Sequence, residues 1–214
     1  MYRFKRCVWG FFFCCLLLAG SAAAGSAAGA AAANAAPATA DTTSSELTIL
    51  GEPELTRAQM VRYIEQRNPQ PLLNCSVEAL VNYYYYEGAL EGVRPDVAIC
   101  QAIKETGCFA YGGDVAPQQN NFCGLGAVGH GAPGYSFVSP QRGVRAHIQH
   151  LVAYASGRLP RTSLADPRFT VLRDKYPQFY GQVPYWTGLN GKWAVPGTHY
   201  GQDIVAMWKS IKEN

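Results

Sequence analysis

Several signatures of familiar chemistry are missing from this sequence of 214 residues. Beyond the N-terminal segment, its cysteines form no Cys-x-x-Cys pair and no Cys/His pair at zinc-binding spacing. It has no Gly-x-Ser-x-Gly motif and no papain-like cysteine signature, which argues against the common serine and cysteine hydrolases. His147 and His150 share a helical face, but no glutamate lies near them for a zinc site. We therefore predict no metal and no other cofactor.

Charge is also missing from a long N-terminal stretch, between Arg6 and Asp41. Three basic residues come first, then an apolar run, then small residues with Ala-x-Ala sites, which is the order of a secretory signal; we place it at 1–24. An uncleaved membrane anchor is the alternative, because about 20 apolar residues can span a bilayer. Residues 25–46 are rich in Ala and Gly, as in a flexible linker. Either way, we expect the folded part outside the cytoplasm, secreted or associated with the cell envelope.

Removal of residues 1–24 would leave fifteen basic and fifteen acidic residues, so the remainder is neutral. A neutral chain gives no support for a nucleic-acid partner. Four cysteines would also remain: Cys75, Cys100, Cys108 and Cys123. An even number in an oxidising compartment predicts disulfides, with three pairings open, and buried free thiols are the alternative.

Residues 47–214 are long enough for one domain with its own core, which we expect to be a monomer. Helical periodicity, with capping signals at Thr56, Ser76 and Pro95, predicts five helices, near 56–68, 76–92, 95–107, 143–157 and 201–214. The third is apolar on nearly every side and is expected to be central and buried. Between it and the fourth lies a glycine-rich segment with one short strand candidate, 135–138. The sequence thus predicts a mainly α (α+β) fold with a small loop or β-hairpin lobe.

Glu105 stands two residues before Gly107, the predicted end of the central helix. The partial negative charge of a helix C-terminus disfavours a carboxylate there by about 0.3–1 kcal/mol. The small neighbours Ala98 and Ala102 allow other segments to approach closely, so burial and the helix end would both raise the pKa of Glu105. A carboxylic acid that stays protonated near neutral pH can protonate a glycosidic oxygen. The alternative is a solvated side chain in a frayed last turn beside Lys104.

The ordered segments "AICQAIKETG", "NNFCGLGA" and "GVRAHIQHLVAYA", followed by "ADPRF" and "GKWAVPGTHYGQDIVAMW", resemble the glucosaminidase domain family of bacterial cell-wall hydrolases. The resemblance covers roughly residues 76–211. It implies a lysozyme-like helical fold that hydrolyses the β-1,4 bond after N-acetylglucosamine in peptidoglycan glycan strands, with Glu105 as the general acid. Two alternatives stay open: a wall-binding module without catalysis, and lytic transglycosylase chemistry on the same fold.

The resemblance is incomplete at the second catalytic group. Glycosidases ordinarily use a second carboxylate, about 5 Å from the acid or about 6.5–9.5 Å from it, and family members often have a glutamate after the Asn-Asn motif. Here no Asp or Glu occurs between Asp114 and Asp166. Asp114 could reach back over the cleft, neutral groups could hold a water molecule, or the substrate acetamido group could act as nucleophile. The last two are favoured, because Asp114 follows two glycines and fits a turn equally well.

Candidate substrate-binding residues are the "NNFCG" segment and aromatic side chains elsewhere: Asn120, Asn121, Phe122, Gly124, Tyr111, Tyr185 and Trp186. The amides would bind acetamido or hydroxyl groups, the glycine would allow close backbone approach, and aromatic rings would stack on sugars. The alternatives are Asx turns for the amides and core packing for the rings.

Overall fold

The described part of the chain is built mainly from helices. The computed structural model describes residues 46–127, 129 and 131–214. Six α-helices lie in this part: α1 (Arg57–Arg67), α2 (Val77–Glu91), α3 (Pro95–Thr106), α4 (Pro140–Ala155), α5 (Phe169–Lys175) and α6 (Tyr200–Lys212). Two short 3-10 helices span Pro117–Gln119 and Trp186–Leu189. The predicted mainly helical class is confirmed, and the arrangement is consistent with a lysozyme-like helical domain.

The predicted export segment, 1–24, and nearly all of the predicted linker, 25–46, lie outside the described residues. Within the part that the structure describes, no helix combines the length and the apolar character that crossing a membrane requires.

The first two helices begin where local capping chemistry predicts. The Thr56 hydroxyl accepts a hydrogen bond from the Gln59 amide at 3.3 Å, and the Gln59 side chain accepts one from the Thr56 amide at 2.9 Å. This capping box satisfies two amides that the first turn would leave without partners. Ser76 caps α2 in the simpler way, accepting from the Ala79 amide at 3.2 Å.

Helix α3 is the buried centre of the fold, as predicted, and it packs against α1, α2 and α6. Pro95 occupies its first position, and Gly107 ends it in a left-handed conformation with φ +59. Val97, Ile99 and other apolar side chains of α3 have no exposed surface. Each such side chain contributes roughly 1.5–3 kcal/mol by leaving water, so the helix that carries Glu105 is firmly fixed.

Helix α6 is tied to the start of α3 by a buried carboxylate. Asp96 has no exposed surface and accepts hydrogen bonds from the Trp208 indole at 2.8 Å and from the amides of Glu54 and Leu55 at 2.9 and 3.1 Å. A buried carboxylate is stable only when its oxygens are satisfied in this way. The contact sets α6 across α3, so that the first turn of α6 reaches the last turn of α3.

The glycine-rich segment between α3 and α4 forms loops. Its described residues contain the 3-10 helix Pro117–Gln119 and an antiparallel bridge between Gly129 and Ala132. The strand candidate, 135–138, forms no strand: residues 135–137 belong to no regular element, and Val138 lies in a bend. Its amides donate hydrogen bonds to loop carbonyls instead, as Phe137 does to the Gln119 carbonyl at 2.8 Å. The lobe is therefore a loop lobe in its described residues.

The predicted disulfides are absent from the described residues. Cys75, Cys100, Cys108 and Cys123 are all described, and no two of them are bonded to each other. Cys100 has no exposed surface and is packed inside α3, which is the alternative that burial of a small apolar side chain predicts. Burial also raises the pKa of the Cys100 thiol well above its usual value, so it stays protonated.

Candidate active site

Glu105 lies in the last turn of α3 with its side chain only partly exposed. Burial raises the pKa of its carboxyl group from 4.5 to about 7, against the opposing effects of a Tyr200 hydrogen bond, the Lys104 charge and a Trp193 hydrogen bond. The direction of this shift is the one expected from the sequence. The alternative of a solvated glutamate in a frayed turn does not describe this side chain. The carboxyl group of Glu105 therefore exchanges its proton near neutral pH and not near pH 4.5.

Tyr200, the first residue of α6, donates a hydrogen bond to Oε1 of Glu105. The ammonium group of Lys104 lies 5.7 Å from the centre of the Tyr200 ring and pairs with Asp203 at 2.9 Å. The nearby positive charge is thus partly neutralised by Asp203. Among the described residues, no second carboxylate is one of the groups that shift the pKa of Glu105.

A continuous series of buried side-chain hydrogen bonds leads away from Glu105 through the core. The Gln101 amide nitrogen donates to the Tyr200 hydroxyl at 2.8 Å, and the Gln101 oxygen lies 2.9 Å from Nε2 of His147. Nδ1 of His147 lies 2.9 Å from the Tyr84 hydroxyl. Burial lowers the pKa of His147 to about 3, and the nearby His150 contributes in the same direction. His147 is therefore neutral, which a hydrogen-bonding role requires.

Trp193 packs against His147 of this series, with 5.7 Å between the ring centres. Its ring is 3% exposed and lies 5.0 Å from His150 and 5.6 Å from Tyr154, measured between ring centres. Nδ1 of His150 is in turn 2.8 Å from the buried carboxylate of Asp166. The two histidines, which the sequence placed on one helical face, thus both pack against Trp193, a neighbour of Glu105.

Gly124 is the candidate from the glycine-rich loop that approaches Glu105. Its φ is +69, and a Cβ atom at this position would lie 3.5 Å from Oε2 of Glu105. A side chain there would be strained by the left-handed backbone and would occupy space beside the acid. The loop thus passes close to the carboxyl oxygen that Tyr200 does not bind.

Asn120 and Asn121 build the loop, because their side chains are buried and bonded within the protein. Asn120 donates to the Phe137 carbonyl at 2.9 Å and accepts from Asn74 at 2.9 Å. Asn121 donates to the carbonyl of Leu125 at 2.9 Å and accepts from its amide at 3.0 Å. The loop-forming alternative describes both residues, and they hold the segment that carries Gly124.

Phe122 and Trp186 lie in the core, which corrects the prediction that they bind sugar. Phe122 is 1% exposed and packs edge-on against Tyr84 and Phe109, and Trp186 has no exposed surface. Neither ring has a face open to a sugar, because core packing covers both. Tyr185 is 38% exposed and keeps an accessible ring, although its backbone pairs with Thr48.

Tyr111 and Asp114 follow α3 on the way to the loop. Tyr111 is partly buried in the left-handed region at φ +57, and its hydroxyl has no hydrogen-bond partner among the described residues. Asp114 accepts a hydrogen bond from the Gly131 amide at 3.1 Å. That contact joins two parts of the loop that are 17 residues apart, and it directs the carboxylate to the loop backbone.

Fold and site together describe a mainly helical domain with one acid of raised pKa at the end of its central helix. The family model described as mannosyl-glycoprotein endo-beta-N-acetylglucosaminidase, the glucosaminidase family, matches residues 81–213. The chain belongs to this family, and the matched residues include α3, the loop lobe and all of α6.

The chain is also similar to an uncharacterized protein of Borreliella burgdorferi, with 36% identity over 135 residues. The aligned region covers 63% of this chain and 63% of that relative. No solved structure matches the chain.

Proposed function

We propose that the protein is a glycoside hydrolase that cleaves the β-1,4 bond after N-acetylglucosamine in bacterial peptidoglycan. The observation that carries this proposal is Glu105, a carboxyl group with a pKa of about 7 beside a loop that a glycine brings close to it. Membership of the glucosaminidase family supports the N-acetylglucosaminide substrate. Glu105 acts as the general acid, since a carboxyl group with a pKa of about 7 still carries a proton in part of the molecules at neutral pH.

The first step transfers the proton of Glu105 to the oxygen that leaves. The acetamido oxygen of the N-acetylglucosamine unit attacks C1 of the same sugar as the bond from C1 to the bridging oxygen breaks. The products of this step are an oxazolinium ion, which keeps the acetamido N–H proton and carries a positive charge, and a shortened strand with a new hydroxyl group. Glu105 is left as a carboxylate, which Tyr200 and Lys104 stabilise.

The second step uses the same side chain as a base. Water attacks C1 and opens the oxazolinium ion, and Glu105 takes the proton that the water loses, so the acid is restored and the acetamido group is again neutral. This assignment is supported by the lack of an acidic residue in 115–165 and by the Asp114 carboxylate, which is bonded to the Gly131 amide. A water molecule held by neutral groups is the variant that needs no acetamido participation.

We place this reaction in the cell wall outside the cytoplasm, carried out by a monomer that is secreted or held by its N-terminal segment. Peptidoglycan glycan strands are the partner, and nucleic acid is not one. Tyr185 is the aromatic candidate whose exposure suits sugar stacking. Gly124 permits a strand to approach Oε2 of Glu105.

The test is mass spectrometry of purified cell walls after digestion with the full-length protein. Strands that end in reducing N-acetylglucosamine are expected, and Glu105→Gln should release none. Glu65→Gln, at an exposed glutamate of α1, is the matched control and should digest like the wild type. Ends in 1,6-anhydro-muramic acid would show transglycosylase chemistry instead. Binding to walls without any new ends would leave only the wall-binding module.

A further inference from the structure

Four hydrogen bonds connect Tyr84, His147, Gln101 and Tyr200 to Glu105, and they cross α2, α4, α3 and α6. All four residues before Glu105 are buried. A buried polar series of this kind is costly unless every member is satisfied, and apolar side chains would fill the same space without that demand. Packing alone therefore does not account for these residue types.

All hydrogen bonds of this series run in the same direction from donor to acceptor. The Gln101 nitrogen faces Tyr200, so the Gln101 oxygen faces His147 and can only accept. Nε2 of the neutral His147 must then carry the proton and donate, which leaves Nδ1 to accept from the Tyr84 hydroxyl. Tyr200 receives its hydrogen bond from Gln101 and has its own proton free for Glu105. Each donor thus points toward the acid.

We propose that Tyr200 is the positioning residue of Glu105, and that Gln101 and His147 hold it permanently as a donor to Oε1. This inference rests on the proposed role of Glu105 as general acid. With Oε1 occupied as an acceptor, the acidic proton resides on Oε2, the oxygen beside Gly124. After the proton is given away, the same Tyr200 hydrogen bond stabilises the carboxylate without any rearrangement.

Other charged and titratable groups around the acid do not replace this contact. Lys104 on the same helix pairs with Asp203 of α6. The Cys123 thiol of the loop lies close enough to influence Tyr200. Lys104 lowers the pKa of Glu105, and so does a hydrogen bond from Trp193, but each effect is smaller than that of the Tyr200 hydrogen bond.

The experiment compares Tyr200→Phe with Tyr85→Phe in the full-length protein. Tyr85 is a matched control, since it is 6% exposed against 4% for Tyr200 and its hydroxyl bonds the Leu55 carbonyl. Loss of the Tyr200 hydrogen bond should raise the pKa of Glu105, so the alkaline limb of the activity profile should move to higher pH. The maximal kcat should fall by at least about tenfold, because the acid is no longer held in place. Tyr85→Phe should change neither.

A second readout does not depend on activity. Carbon-13 NMR of labelled glutamate should give a higher carboxyl pKa for Glu105 in Tyr200→Phe than in the wild type, and Gln101→Met should shift it in the same direction by less. Nitrogen-15 NMR of His147 should show a proton on Nε2 and none on Nδ1.

Three results would overturn the inference. These are an unchanged pKa of Glu105 in Tyr200→Phe, a proton on Nδ1 of His147, or equal loss of kcat in both tyrosine variants. If the wild type released no wall fragments while the NMR shifts appeared, the glycosidase assignment would fail and the hydrogen-bond assignment would stand. If the wild type were active and no NMR shift appeared, the hydrogen-bond assignment would fail and the glycosidase assignment would stand.

Discussion

Tyr200 at the start of α6 donates a hydrogen bond to Glu105 at the end of α3, across a separation of 95 residues. The contact depends on how α6 is placed, and the Trp208 indole bonded to Asp96 fixes that placement at the other end of the helix. The C-terminal helix is therefore a structural part of the candidate site.

Trp208→Phe should destabilise the protein by about 1.5–3 kcal/mol more than Trp186→Phe. Both variants lose the same atoms from a ring of at most 5% exposure, but only the Trp208 indole donates to a carboxylate. The Trp186 indole nitrogen has no partner among the described residues. Hydrogen bonds to charged groups contribute about this amount. Urea unfolding of both variants measures the difference, and equal losses would contradict the role of Asp96.

Glu105→Gln should stabilise the protein increasingly as the pH rises from about 5 to 8. The pKa of Glu105 is about 7 in the folded protein and 4.5 as its ordinary value. The folded state thus binds the proton more tightly, and its stability falls as the pH rises through this interval. Well above pH 7 the full cost is present, on the order of 3 kcal/mol. Glutamine carries no charge and avoids that cost.

Urea unfolding at pH 5 and pH 8 tests this expectation. The advantage of Glu105→Gln over the wild type should be small at pH 5 and large at pH 8. Glu65→Gln provides the control for loss of a surface carboxylate, and its difference from the wild type should be the same at both pH values. A pH-independent difference for Glu105→Gln would mean that burial does not perturb this group.

Helix ends were predictable where the determining residues lie within one turn. Thr56, Ser76, Pro95 and Gly107 have the predicted roles, because caps depend on a few neighbouring backbone groups. Helix α5 was not predicted, since seven residues are too few to establish an apolar period.

The site was only partly predictable for a related reason. Glu105 had a local signal, an acid at a helix end, together with the family resemblance. Tyr200 had none, because its contacts with Gln101 and Glu105 join α6 to α3, and separations of 99 and 95 residues leave no spacing pattern. Trp186 was assigned to sugar binding and lies in the core, since sequence alone does not separate a buried aromatic ring from an exposed one.

Gly124→Ala should reduce activity strongly, because the added methyl group would lie 3.5 Å from Oε2 of Glu105. The left-handed backbone at φ +69 adds a cost in stability of about 1 kcal/mol. Gly131→Ala is the matched control, with φ +82 and no atom within 4 Å of the new methyl group. It should lose similar stability and keep its activity. Equal activity of the two variants would remove Gly124 from the site.

The pH dependence of kcat/KM on soluble peptidoglycan fragments tests the role of Glu105 most directly. For the full-length wild type, kcat/KM should fall about tenfold per pH unit above roughly pH 7, because only the protonated acid can protonate the bridging oxygen. Glu105→Gln should be at least about 100-fold slower at every pH, while Glu65→Gln should reproduce the wild-type profile. A wild-type rate that stays level to pH 9, or a Glu105→Gln rate within tenfold of the wild type, would contradict general acid catalysis by Glu105.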